Sequence, residues 1–97
     1  MAAYVIAQMQ VHDVEMYREY ASKVFATIGA FEGKLLAAET VEVCEGEQPF
    51  PRTVIGEFPS AEVARAWYES TNYQAILPLR LNSTTGSLYM VEGFSLA

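Results

Sequence analysis

The spacing of apolar residues along this chain switches repeatedly between a period of two and a period near 3.6, and few folds accept the resulting order of elements. Tyr4 to Val11 carries Val5, Ala7, Met9 and Val11 at one parity and Tyr4, Ile6, Gln8 and Gln10 at the other. That predicts a strand with one apolar face and one mixed face. Asp13 is a short carboxylate suited to an N-cap, and behind it Tyr17, Tyr20, Val24 and Ile28 recur at helical spacing as far as Gly29. Gly33 opens a second strand from Lys34 to about Val43, its alternation blurred by Leu35, Leu36, Ala37 and Ala38, and Glu45 to Pro51 reads as a turn loop. Arg52 to Phe58 reads as a third strand with Val54, Gly56 and Phe58 on one side and Thr53, Ile55 and Glu57 on the other.

Ser60 is a good N-cap, Glu62 places negative charge in the first turn, and Val63, Ala64, Ala66 and Trp67 supply the stripe of a second helix running to about Ser70. Asn72 to Leu81 keeps helical spacing through Tyr73, Ile76, Leu77 and Arg80, but Pro78 lacks a backbone donor. A short third helix that begins, kinks or restarts near that proline is expected. Asn82 to Gly86 has turn chemistry, and Ser87 to Phe94 alternates as a last strand, with Tyr89 and Val91 opposite in parity to Leu88, Met90, Glu92 and Phe94. The order is the split βαβ arrangement called ferredoxin-like, βαββαβ with an extra short helix before the last strand: an α+β fold on an antiparallel four-stranded sheet. Strands one and three should be central, with both main helices on one face.

Composition sets limits around that fold. Ninety-seven residues suit one domain, 1–97, and 52% apolar content with only 19% charged residues excludes a disordered chain. Twelve Asp and Glu against six Lys and Arg give a net charge of -6, the wrong sign for nucleic acid or an anionic bilayer. No apolar run approaches the ~20 residues of a membrane span. A single cysteine, Cys44, makes no internal disulfide, and a cytoplasmic setting is expected. The sheet face away from the helices is read as apolar, with Tyr4, Ile6, Ile55, Leu88, Met90 and Phe94, so a homodimer through that face is expected.

Polar residues within that apolar face are the first candidates for chemistry. Gln8, Gln10, Glu57 and Glu92 fall there by parity, and a desolvated Glu57 or Glu92 would have a raised pKa and could move protons near neutral pH. The alternative is that they sit at strand ends or at a dimer rim, solvated or paired. His12, the only histidine, stands where strand one gives way to helix one; it is a candidate general base, or simply a surface residue. Arg80 could hold a carboxylate ionised or clamp an anionic substrate. Tyr17, Tyr20, Trp67, Tyr68 and Tyr73 could line a ligand pocket or only pack a core. Metal-ligand spacings, phosphate loops and a nucleophile elbow are missing, so neither a metal nor a cofactor is implied. Haem would need His12, Cys44 or a tyrosine as axial ligand.

The block Glu57-Phe58-Pro59-Ser60, then Ala64-Arg65-Ala66-Trp67-Tyr68, Ser70, Tyr73-Gln74 and Arg80 resembles the family of the domain of unknown function 1330 (DUF1330), within the dimeric α/β barrel superfamily. Ala3 to Ala7, Tyr17, Tyr20, Gly33 and Val91-Glu92-Gly93 extend the resemblance over almost the whole chain. Val14 and Thr71 stand where that family usually has prolines. The resemblance implies a homodimeric barrel with a pocket between sheet and helices, and no established reaction. It points to Tyr17, Tyr20, Glu57, Trp67, Tyr68, Tyr73, Arg80 and Glu92 as positions that could face the pocket. A small apolar or aromatic ligand is one expectation. A non-catalytic dimerisation or binding module is another, and a cofactor-independent monooxygenase or an isomerase-like enzyme is a third, by analogy of fold.

Overall fold

The structure, a computed structural model, describes residues 1–95. Its elements are β1 (Ala3–Val11), α1 (Val14–Gly29), β2 (Lys34–Thr40), β3 (Arg52–Phe58), α2 (Ala61–Glu69), α3 (Thr71–Ser83) and β4 (Thr84–Glu92). The strands form one antiparallel sheet in the order β2-β3-β1-β4, with β1 and β3 central as the alternation predicts. Along β1 burial follows parity: Ala3, Val5, Ala7 and Met9 are buried, while Tyr4, Ile6 and Gln8 are half-buried. Of these, Ala3 and Val5 pack with Phe58 of β3 and with Tyr20, Ile28, Ala64, Trp67, Tyr73 and Leu77 of the three helices. One sheet face is thus roofed by α1, α2 and α3, and no element of the described residues covers the other.

Side-chain caps start each helix where the sequence offers a short polar residue. Asp13 accepts from the Met16 amide at 3.1 Å, Ser60 from Val63 at 3.1 Å and Ser70 from Tyr73 at 3.2 Å, each satisfying a donor that the first turn leaves open. Ser70 also ends α2, since its amide and its hydroxyl both donate to the Trp67 carbonyl. Two helices are therefore joined by one serine. Gly33 fits the turn into β2 because a Cβ there would meet Ile28 Cγ2 and Phe58 Cε1 at 2.6 Å each, so the chain passes where only a hydrogen leaves room.

Four expectations need correction. Helix α3 is not short and does not break at Pro78; it runs thirteen residues through the proline. Pro78 and Gln74, the residue whose carbonyl it leaves without a donor, are both exposed, so water can supply that bond. No turn separates α3 from β4 at Asn82 to Gly86. The Ser83 hydroxyl donates to the Leu79 carbonyl at 2.6 Å and the Thr84 hydroxyl to the Arg80 carbonyl at 2.7 Å, which closes the helix without a glycine cap, and β4 starts at once. Strand β2 stops at Thr40, and its pairing with β3 slips between Leu35 and Ala37, a bulge that accounts for the blurred alternation.

The fourth correction concerns the faces of β4. Its register puts Val91 beside Tyr4 and Tyr89 beside Ile6, while Leu88, Met90 and Glu92 oppose Ala7, Val5 and Ala3 on the helix side. The open face therefore presents Tyr4, Ile6, Ile55, Tyr89 and Val91, with Gln8, Thr53, Lys34 and Glu57 around them. Tyr89 confirms the register by donating to Gln8 Oε1 at 3.1 Å. Phe94 lies beyond the end of β4 and is exposed. Both parities of this strand are apolar, so alternation alone does not say which one faces inward.

Candidate functional site

Between α1 and the helix side of the sheet lies a cavity of about 140 Å³. Its floor is Val5, Ala7 and Met9 of β1 with Arg52, Val54, Gly56 and Phe58 of β3, and its roof is α1 from Tyr17 to Ile28. Trp67 and Leu88 close one side, and Leu35 and Ala38 of β2 the other. Phe25 is exposed and Leu35, Ala38 and Arg52 are half-buried, so the cavity reaches the surface between α1 and β2. Small floor residues explain why space remains. Ala7 and Gly56 on the floor carry a methyl group and a hydrogen where larger residues would occupy part of the space.

The two ends of the cavity differ chemically. α1 and β3 run along it in the same direction, so Tyr17 meets Arg52 at one end and Ile28 meets Phe58 at the other. At the first end Arg52 Nε donates to the Tyr17 hydroxyl at 3.1 Å, and the guanidinium carbon stands 5.5 Å from the Tyr17 ring centroid. At the second end the walls are aliphatic and aromatic. Among the described residues Arg52 is the only Asp, Glu, Lys, Arg or His on the wall.

An aromatic array stands behind the cavity. Tyr17 and Tyr20 lie 5.9 Å apart by centroids, Tyr20 and Tyr73 6.3 Å edge to face, and Trp67 packs 4.2 Å from Tyr73 and 5.2 Å from Phe58. Their polar atoms are paired inside the array. The Tyr20 and Tyr73 hydroxyls share a hydrogen bond of 2.9 Å, and Trp67 Nε1 donates to Thr27 Oγ1 at 3.0 Å, as a buried hydroxyl or indole requires. Burial pushes the Tyr20 pKa well above the ordinary tyrosine range, and its bond and proximity to Tyr73 push the same way, while the positive charge of Arg80 opposes the rise.

That shift makes stability depend on alkaline pH. Unfolded tyrosine releases its proton near pH ~10, whereas folded Tyr20 keeps it, so above that pH unfolding releases a proton. The contribution is complete below pH ~10 and falls by about 1.4 kcal/mol per pH unit above it. Urea titrations from pH 8 to 11 should give Tyr20→Phe a shallower alkaline loss than the parent chain. Equal slopes would place the Tyr20 proton in an ordinary environment.

The structure brings Tyr17, Tyr20, Trp67, Tyr68 and Tyr73 into one cluster, with Arg80 beside it. Arg80 is 5% exposed, its Nε is buried with no hydrogen-bond partner, and it does not line the cavity. The other candidates lie apart. Glu57 is half-buried on the open face beside Tyr4, His12 is exposed in the bend after β1, and Glu92 is exposed at the end of β4 on the helix-side parity. Cys44 is an exposed free thiol in the β2–β3 loop. Sequence reasoning missed Arg52 and Thr27. Arg52 carried a usable signal, since it continues the parity of Val54, Gly56 and Phe58; Thr27 carried none, because its role depends on α1 meeting α2.

A four-stranded antiparallel sheet in this order, roofed on one face by helices, is a ferredoxin-like α+β fold. The family described as domain of unknown function DUF1330 matches residues 2–94, and the chain belongs to that family. No curated protein matches the sequence at a significant level. Among solved structures, a protein of unknown function from Rhodopseudomonas palustris is similar at a TM-score of 0.79 and 13% identity, over 97% of this chain and 83% of that one. SnoaB, a cofactor-independent oxygenase from Streptomyces nogalater, is similar at 0.69 and 6% identity, over 97% and 94% of the two chains. A dimeric ferredoxin-like protein of unknown function from Jannaschia sp. CCS1 is similar at 0.69 and 12%, over 98% and 100%. At such identities the likeness establishes the fold alone. Among the described residues no helix is long and apolar enough to cross a membrane.

Proposed function

We propose that the protein is a cytoplasmic homodimer that holds one small, ring-sized apolar molecule in the cavity beneath α1. The cavity carries this reading: about 140 Å³ of apolar space beside a packed aromatic array. Cavities on the order of 150 Å³ with hydrocarbon walls stay dry and accept benzene. The dimer rests on the open face, where Ile6 and Ile55 pair at the centre of the two inner strands and Tyr4, Tyr89 and Val91 surround them. A second copy of the same face would remove that surface from water.

Binding is favoured over proton-transfer catalysis by the lining itself. Among the described residues no carboxylate, histidine or cysteine stands on the wall, and Tyr20 holds its proton more firmly than a free phenol. Glu57 and Glu92 would have to act from outside the cavity. The oxygenase among the structural neighbours thus contributes its fold to this reading and not its reaction.

Filling the cavity tests the proposal. Ala7→Leu adds three carbons to a floor residue that is 5% exposed. It should leave stability equal or raise it by about 0.5–2 kcal/mol, as cavity-filling changes do, while abolishing the response of the single Trp67 to benzene. Benzene binding that survives Ala7→Leu would move the ligand elsewhere.

A further inference from the structure

We infer that the natural ligand is a small monoanion, an apolar body of about one ring bearing a carboxylate-like group that docks on the guanidinium of Arg52. The inference deepens the cavity reading and rests on it. Its first ground is the state of Arg52. One nitrogen, Nε, is spent on the Tyr17 hydroxyl, and the Tyr17 ring lies under the cation, so the side chain is held from two sides. Among the described residues nothing takes up its two η nitrogens: the one ion pair joins Lys23 to Glu19 on the outer surface of α1. A fixed guanidinium with its outer edge free suits a planar two-oxygen anion, which it can bind through two parallel hydrogen bonds.

The second ground is the sign of the surroundings. The whole chain carries a net charge of -6, yet among the described residues the only full charge on the cavity wall is positive. Arg80 adds a second cation behind Tyr20, buried and among the described residues without an ion-pair partner, and its charge reaches the Tyr20 hydroxyl. Arginine cannot relieve such burial by losing a proton. An anion at the Tyr17–Arg52 end offsets both charges, whereas a cationic ligand would meet repulsion from each. The third ground is size and orientation. The apolar end at Ile28 and Phe58 takes the ring, and the half-buried Arg52 end leaves the anionic group near water, so its desolvation is partial. Nucleotides are too large for about 140 Å³ of space.

Matched probes test this. Benzoate and benzamide share a ring and nearly a shape but differ in charge, and Trp67 emission reports on both in the full-length protein. At pH 7 benzoate should bind about tenfold tighter than benzamide, with the difference shrinking as salt rises. Arg52→Gln should remove the preference by weakening benzoate alone, and Arg52→Lys should restore part of it, because charge returns without the fork. Equal affinities for the two probes in the parent chain would overturn the anionic ligand and leave the cavity reading standing. A preference that persists in a folded Arg52→Gln chain would overturn the role of Arg52. If neither probe binds while benzene does, the inference fails and the cavity reading stands; if none of the three binds, both fail.

Discussion

Trp67→Ala should remove about 3–5 kcal/mol of stability, the largest loss expected from any single truncation in this chain. Trp67 is 2% exposed and packs between Phe58 and Tyr73, with its indole nitrogen bound to Thr27. It joins α2 to α1, to α3 and to the sheet in one side chain. Removing it leaves a void next to an existing cavity, so the site has little chance to collapse and the cost should lie in the upper part of that range. Domains are stable by only about 5–15 kcal/mol, and the variant should be partly unfolded at 37 °C. Trp67→Phe keeps most of the packing and loses the bond to Thr27, for a smaller cost of about 1–3 kcal/mol. Urea unfolding of the three proteins checks the order; a loss below about 1 kcal/mol for Trp67→Ala would deny Trp67 its central place.

Ile55→Lys should convert the proposed dimer to monomers while leaving the fold of each chain intact. Ile55 stands opposite Ile6 on the open face, half-buried in the isolated sheet, so a lysine there can reach water in the monomer. In a face-to-face dimer the same lysine would lie near the centre of the interface, where an unpaired charge costs several kcal/mol on each side of the two-fold axis. Equilibrium sedimentation at micromolar concentration should give twice the chain mass for the parent and one chain mass for the variant. A parent chain that sediments as a monomer would end the dimer proposal. A variant that stays dimeric would move the contact to another surface.

How much of this was legible in the sequence depended on whether one segment could decide the matter by itself. Asp13, Ser60 and the clean alternation of β1 act locally, and they placed two helix starts and a central strand correctly. The same local logic failed at β4, where Leu88 and Met90 are as apolar as Tyr89 and Val91 and only pairing with β1 sorts them. It failed at the end of α3 because Ser83 and Thr84 cap the helix with hydroxyls, residues that in isolation read as a turn. The aromatic cluster was visible as a set of helical positions, but not as a cluster. Tyr20 and Tyr73 are far apart in sequence and meet through helix packing. Arg52 stands at the first position of β3, and only the packing of α1 over that end of the strand brings it to the cavity.

The central claim is that the space beneath α1, and not the open face, receives the ligand, and methyl-resolved NMR of the protein with added benzene tests it most directly. Methyl groups of Val5, Val24, Val54, Ile28 and Leu88 line that space, whereas those of Ile6, Ile55 and Val91 lie on the open side of the sheet. Saturable shifts confined to the first group are the predicted result. Shifts centred on Ile6, Ile55 and Val91, or no saturable shifts at all, would contradict it.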